Sequence, residues 1–326
     1  MINPTPRLTA ALRKASSDDP GERLSASRTL VAHGLINTAE PVLQGLADNE
    51  ALAGEATVLL SACRYIRRVL SEADMKDNSG NAALSNEAER DILLGQSFDD
   101  FYLLKRAQGS SNLIVVFTGM ARSFGVSLAL LLRILKRFDS HVIFLQDTRE
   151  QYYFNGVAGL GGTYAATLDA LRQRAAEIGA RNIWCLGQSG GGYAAIQVAI
   201  DLRARGVLAF VPATSLETLQ VNGTLPADGP DNDTGKALPR PLDLVVQLQR
   251  ADIVPHISIV YGALAEQDAV QAQRLVHPAV ELVPIEGFAD HAVFSKVVAD
   301  NRLDDMIQHL FASQPHDPRV KSETSA

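Results

Sequence analysis

The sequence predicts an α/β protein with a mostly parallel sheet covered by helices on both faces, preceded by an all-helical extension. Three observations carry this. From residue 96 onward, short apolar runs alternate with helical stretches, the rhythm of βαβ units. Within that region the run Ile114-Val-Val-Phe117 is apolar at every position, as a strand buried on both faces requires. Before residue 96 the periodicity is helical and strand signals are few.

The chain of 326 residues therefore divides into a helical extension with its linker (1–95), an α/β domain (96–312) and a polar tail expected to be disordered (313–326). In the extension, Asp19 and Pro20 suit an N-cap and first helical position, with Gly34 closing a helix that runs to Ala32. A second helix spans Thr38–Leu46 with Pro41 in its first turn. A third spans Glu50–Ser71, with Leu59, Leu60, Cys63 and Ile66 at helical spacing. The first two resemble a tetratricopeptide hairpin, with no second copy at the expected period of about 34 residues. Polar residues from Asp74 to Glu87 read as the linker.

Strands are expected at 101–105, 113–118, 141–146, 182–186, 207–211, 257–261 and 280–284. Helices are expected at 126–137, 163–178, 191–203, 269–276 and 291–311. The stretch Asn222–Pro241 is rich in Gly, Pro, Asp and Asn and reads as a lid, a binding loop or a mobile surface excursion.

Composition excludes several function classes. A formal charge of −7 argues against a nucleic-acid binder, which needs a basic face. No apolar run approaches the roughly 20 residues of a membrane span, and the N-terminus carries no secretory signal pattern. Cys63 and Cys185 form no metal motif, and Cys185 reads as a reduced core thiol. Together these suit a cytoplasmic protein.

The most informative segment is Asn182-Ile-Trp-Cys-Leu-Gly187-Gln188-Ser189-Gly190-Gly191-Gly192. It matches Gly-x-Ser-x-Gly between a predicted strand and a predicted helix. Such a turn lifts a serine hydroxyl above the sheet in an unfavourable backbone conformation, so its neighbours must be small. The following helix directs its N-terminal dipole at developing negative charge.

On these residues the region 96–312 resembles the α/β-hydrolase superfamily. The resemblance implies a triad in the order serine, acid, histidine. Ser189 is the implied nucleophile. Asp268 follows the 257–261 strand as the implied acid, with Glu266 the alternative in the same loop. His291 follows the 280–284 strand as the implied base. One oxyanion donor is implied at Gly190 N–H and a second at Met120, with Ala121 behind it. A hydrolase of this kind uses neither metal nor organic cofactor.

Candidate substrate-binding residues are Arg122, Gln188, Tyr152 and Tyr153. The aromatics either wall the pocket or pack their loop onto the core. The Asp147…Tyr152-Tyr153…Gly156 pattern, Ser189-Gly-Gly-Gly-Tyr-Ala-Ala and Ala209-Phe-Val-Pro-Ala-Thr resemble a bacterial hydrolase subgroup associated with surface polysaccharide genes. The implied reaction is cleavage of an ester or related acyl bond in a small-molecule or glycan-linked substrate. The alternatives are acyl transfer by the same triad, or a non-catalytic interaction protein that docks a partner through the helical extension. Gly159-Leu-Gly161-Gly-Thr-Tyr164 imitates a dinucleotide fingerprint but lacks its last glycine and its preceding strand.

Overall fold

The computed structural model describes residues 6–77, 101–104, 109–119, 124–217 and 241–316. These form two compact units. One is helical and comprises the described residues up to 77 together with 124–139 and 294–304. The other holds the sheet and comprises 101–119, 140–293 and 305–316, less the undescribed segments within those ranges. The division therefore does not fall between 95 and 96. The helical unit takes in two segments from the region assigned by sequence to the α/β domain.

The helical unit contains α1 (Pro6–Lys14), α2 (Pro20–Ala32), α3 (Ile36–Gln44) and α4 (Ala53–Asp77). α2 starts as expected, with the Asp19 carboxylate accepting from Gly21 N–H at 2.7 Å. Gly34 takes φ +74° just beyond its end, where a side chain would be strained. Three expectations need correction. α1 was not anticipated. Pro41 lies inside α3 rather than in its first turn, because that helix begins at Ile36. α4 runs six residues past Ser71 into the polar stretch read as linker.

Leu59, Cys63 and Ile66 are buried on α4, and Leu60 is half-buried. Burial pushes the Cys63 thiol up to about 12, so it is an inert core group. α5 (Leu128–Leu135) is capped by Ser127, whose hydroxyl accepts from Leu130 N–H at 3.2 Å and whose own N–H bonds Ala32 O at 2.7 Å. Asp304 gathers the unit's charges. It accepts from Tyr65 at 2.8 Å, from Arg137 at 2.9 and 2.7 Å, and from Arg68 at 3.1 Å.

Among the described residues the sheet has seven strands. They are β1 (Phe101–Leu104), β2 (Asn112–Phe117), β3 (His141–Leu145), β4 (Asn182–Gln188), β5 (Gly206–Phe210), β6 (His256–Gly262) and β7 (Val280–Ile285). Their order is β1-β3-β2-β4-β5-β6-β7, with β1 antiparallel to β3 and the other six mutually parallel. The α/β expectation holds. Leu113 to Phe117 are almost fully buried, and so is β3, as strands covered on both faces must be.

The helices of this unit include α6 (Tyr164–Glu177), α7 (Gly190–Leu202), α8 (Leu244–Arg250) and α9 (Glu266–Gln273). α10 (Val293–Ala299), which falls in the helical unit from residue 294, and α11 (Leu303–Ala312), which falls in the sheet unit from residue 305, replace the single helix expected over 291–311. Asn301 breaks that run with φ +59°, a conformation asparagine tolerates better than most residues. α8 was not expected, since its helical pattern directly abuts the Gly/Pro-rich stretch.

Sheet parity assigns the two faces. Gly187 faces α7, where an added Cβ would lie 2.7 Å from Ala195 Cβ. Trp184 has the opposite parity and packs its ring on Phe311 of α11 at 4.7 Å. Cys185 is fully buried, and burial raises its thiol pKa, in line with a reduced core cysteine. No helix among the described residues is long and apolar enough to cross a membrane.

Candidate active site

Six parallel strands put their C-terminal ends along one edge of the sheet, where ligands bind in open α/β sheets. The candidate groups come from three of those ends. Ser189 follows β4 directly, with φ 54° and ψ −123°, and its N–H bonds Phe210 O at 2.9 Å. A serine at positive φ is held there only by its surroundings. The glycines show why no larger residue fits. A Cβ at Gly187 would lie 2.3 Å from Gly191 O, and one at Gly191 would lie 2.4 Å from both Phe117 O and Thr118 O. The turn is thus packed backbone to backbone against β2.

His291 and Asp268 come from the elements after β7 and β6. The His291 Nδ1 lies 2.9 and 3.0 Å from the two Asp268 carboxylate oxygens. This contact leaves Nε2 of His291 for other work. Asp268 is the third residue of α9, and its side chain is 15% exposed. Glu266 is exposed, so the carboxylate beside the imidazole is that of Asp268. The Asp268 hydrogen bond raises the His291 pKa above its ordinary value, desolvation opposes this, and the charge of Asp290 adds to the rise. Asp290 had no role in the sequence reading. Its signal was simply its place next to His291.

Gly190 is the first residue of α7, where the backbone N–H has no helical acceptor. Met120, Ala121 and Arg122 lie outside the described residues. The half-buried Gln188 carries a buried Oε1 with no hydrogen-bond partner among the described residues.

The Asp147–Gly156 loop separates the two tyrosines. Asp147 is buried and organises the loop, accepting from Arg149 N–H at 3.2 Å and Tyr153 N–H at 3.0 Å. Glu150, Tyr152 and Tyr153 all take positive φ. Tyr152 sets its ring against the serine turn, so that a Cβ on Gly190 would lie 2.7 Å from the ring. Tyr153 points inward and is 3% exposed, which removes it from the substrate-binding set. Its hydroxyl donates to Leu145 O at 2.8 Å and meets Thr118 Oγ1 at 3.2 Å, while its ring packs edge-on against Phe117 at 5.4 Å. Tyr153 therefore ties the ends of β2 and β3 together at the root of the following loop. Burial holds its phenol protonated.

The Asn222–Pro241 stretch lies outside the described residues except for Pro241. Its flanks are pinned to each other. Ser215 and Asp243 form a bridge, Leu216 N–H bonds Leu242 O at 2.9 Å, and Gln271 Oε1 accepts from both the N–H and hydroxyl of Thr214 at 2.9 and 2.7 Å.

The fold is the α/β-hydrolase fold, with its antiparallel first strand, its parallel strands and the strained serine turn after a central strand. No family model matches the sequence, and no curated protein matches it. Solved structures that the chain matches include MenH from S. aureus, at 13% identity and TM-score 0.45 over 66% of this chain and 98% of that one. Another is MGS-MChE2, an alpha/beta hydrolase enzyme from lagoon sediments of Mar Chica, Morocco, at 14% identity and TM-score 0.42 over 67% and 97%. A third is Est1E from Butyrivibrio proteoclasticus, at 13% identity and TM-score 0.41 over 64% and 93%.

Proposed function

We propose that the chain is a serine hydrolase that cleaves an ester or related acyl bond through Ser189, His291 and Asp268. The observation that carries this reading is the strained Ser189 turn at the same sheet edge as a hydrogen-bonded His291–Asp268 pair. His291 Nε2 takes the proton of the Ser189 hydroxyl as Oγ attacks the acyl carbon. Asp268 holds the proton on Nδ1, which fixes the tautomer, and stabilises the imidazolium that forms. The tetrahedral oxyanion is met by Gly190 N–H at the start of α7, with the second donor from the loop after β2. Collapse expels the alcohol, which receives the proton from His291. Water activated by the same imidazole then releases the acid and restores Ser189.

Leu264 is 64% exposed in the turn between β6 and α9, just before Asp268, and is a candidate apolar contact for an acyl chain. Short acyl esters and acetylated sugars are the first substrates to screen.

The test is covalent labelling by a fluorophosphonate probe, which reports an activated serine. Wild type is expected to label, and Ser189→Ala to fold normally and not label. Equal labelling of both proteins removes Ser189 from the mechanism.

A further inference from the structure

The opposite edge of the sheet carries a second cluster of functional side chains. His256 opens β6, Glu281 is the second residue of β7, and His309 lies on α11. Residue 258 pairs with 281 in the β6–β7 register, and 256 lies two positions before 258, so these side chains share one face. That face is the one α11 covers.

One atom from each residue converges. Glu281 Oε2 lies 3.4 Å from His256 Nε2 and 3.2 Å from His309 Nε2, and all three atoms fall within 4.8 Å of one another. Zinc binds imidazole nitrogen and carboxylate oxygen at about 2.0–2.1 Å, so neighbouring ligand atoms of a tetrahedral site lie roughly 3.3 Å apart. Both distances to the carboxylate are already of that size. The two imidazole rings meet edge to face, with centroids 5.6 Å apart at 71°, so their nitrogens approach the carboxylate from different directions. Ser258 Oγ donates to Glu281 Oε2 at 3.2 Å and lies 3.2 Å from His256 Nε2, which holds the two strand-borne groups in place.

We propose that His256, Glu281 and His309 form a binding site for one divalent transition-metal ion of the zinc type, with water in the remaining position. Two imidazoles and one carboxylate select zinc, cobalt, nickel or copper over magnesium and calcium, which require oxygen ligands. The site is solvent-accessible, since Glu281 and His309 are exposed. The ion clamps the last helix to the start of β6 and to β7. β6 is seven residues long, which places the clamp roughly 20 Å from the strand end that leads to Asp268. The metal is therefore a structural tie, and the acyl chemistry proposed above does not pass through it. His256, Glu281 and His309 come from three separate elements, so no local spacing announces the site.

The experiment titrates untagged, chelator-stripped protein with zinc chloride by calorimetry and with Co(II) by visible absorption. One ion per chain is expected, with a tetrahedral Co(II) spectrum and a rise in Tm at saturating zinc. His309→Ala and Glu281→Gln are each expected to weaken binding at least ~10-fold while keeping the wild-type circular dichroism spectrum. Ser189→Ala is expected to bind zinc as wild type does, so the metal result and the labelling result stand apart. No binding up to about 100 μM zinc overturns the proposal. So does binding that survives both substitutions. Binding lost in His316→Ala and kept in His309→Ala also overturns it, by moving the site to His277 and His316, whose rings lie 5.7 Å apart.

Discussion

Asp268→Asn isolates the orienting role of the acid, because it changes almost no volume. In the native pair both carboxylate oxygens lie about 3 Å from His291 Nδ1, which places the proton on Nδ1 and, in the proposed mechanism, leaves Nε2 as the base. An asparagine in that place can turn its amide NH₂ toward Nδ1. The proton then moves to Nε2, and the ring can no longer accept one from Ser189. The negative charge that stabilises the imidazolium is lost at the same time. Loss of a triad acid in this way costs about 10⁴ in kcat, or roughly 5.5 kcal/mol of transition-state stabilisation. The assay is steady-state hydrolysis of a short-chain ester with wild type, Asp268→Asn and Glu266→Gln, alongside melting curves to show that all three fold. Glu266→Gln is expected to be near wild type, because Glu266 is exposed and Asp268 carries the contact to His291. Turnover by Asp268→Asn within tenfold of wild type, or a large loss in Glu266→Gln instead, would refute the reasoning.

Asp290→Asn removes a charge that raises the His291 pKa. The base works as neutral imidazole, so the acid limb of the kcat/KM profile is expected to move to lower pH; an unmoved limb rules out that influence. Gly191→Ala places a Cβ 2.4 Å from two backbone carbonyls that cannot swing aside. It is expected to lower Tm by the equivalent of about 3 kcal/mol and to abolish probe labelling, with an unchanged Tm as the contrary result. Asp304→Asn takes the charge from a carboxylate that serves Tyr65, Arg68 and Arg137 and is only 14% exposed. Destabilisation of the helical unit by about 3 kcal/mol is expected, read by urea melts and by faster amide exchange in α4. Wild-type exchange would show the network to be idle.

What the sequence made legible was whatever depends on near neighbours or on order along the chain. The serine turn is written in glycines because most groups an added side chain would strike are close in sequence or on the adjacent strand. Asp268 and His291, which the structure brings within hydrogen-bonding distance, could be singled out because each sits just after a strand of recognisable pattern. Features that depend on distant partners were hidden. Asp304 meets Tyr65 across 239 residues and Arg137 across 167. Nothing local at Asp304 announces that it anchors a helical unit that draws on residues from both ends of the chain. The helix break at Asn301 was missed because the apolar periodicity continues through it, while the backbone reverses hand at one residue. Tyr152 and Tyr153 are adjacent in sequence, yet only the ring of Tyr152 lies at the serine turn while Tyr153 is buried beneath β2 and β3, a split that adjacency does not announce.

That loop shows how the legible and the hidden parts of the site depend on each other. Ser189 at φ 54° and Tyr152 at φ 57° each occupy a conformation that costs of order 1–3 kcal/mol for a residue other than glycine. The two meet at Gly190, which has no Cβ to hold the Tyr152 ring away. Gly190 therefore lets an aromatic face settle over the serine turn, while Gly187 and Gly191 let that turn close. Asp147 holds the loop from below through the Tyr153 N–H, and Tyr153 in turn holds the end of β2 beside the root of the loop that follows. Strain of this kind persists only where the surroundings over-determine it. Here the Tyr152 ring, carried on one strained residue, packs at the glycine that follows the other, Ser189, at the edge of the sheet where His291 and Asp268 also meet.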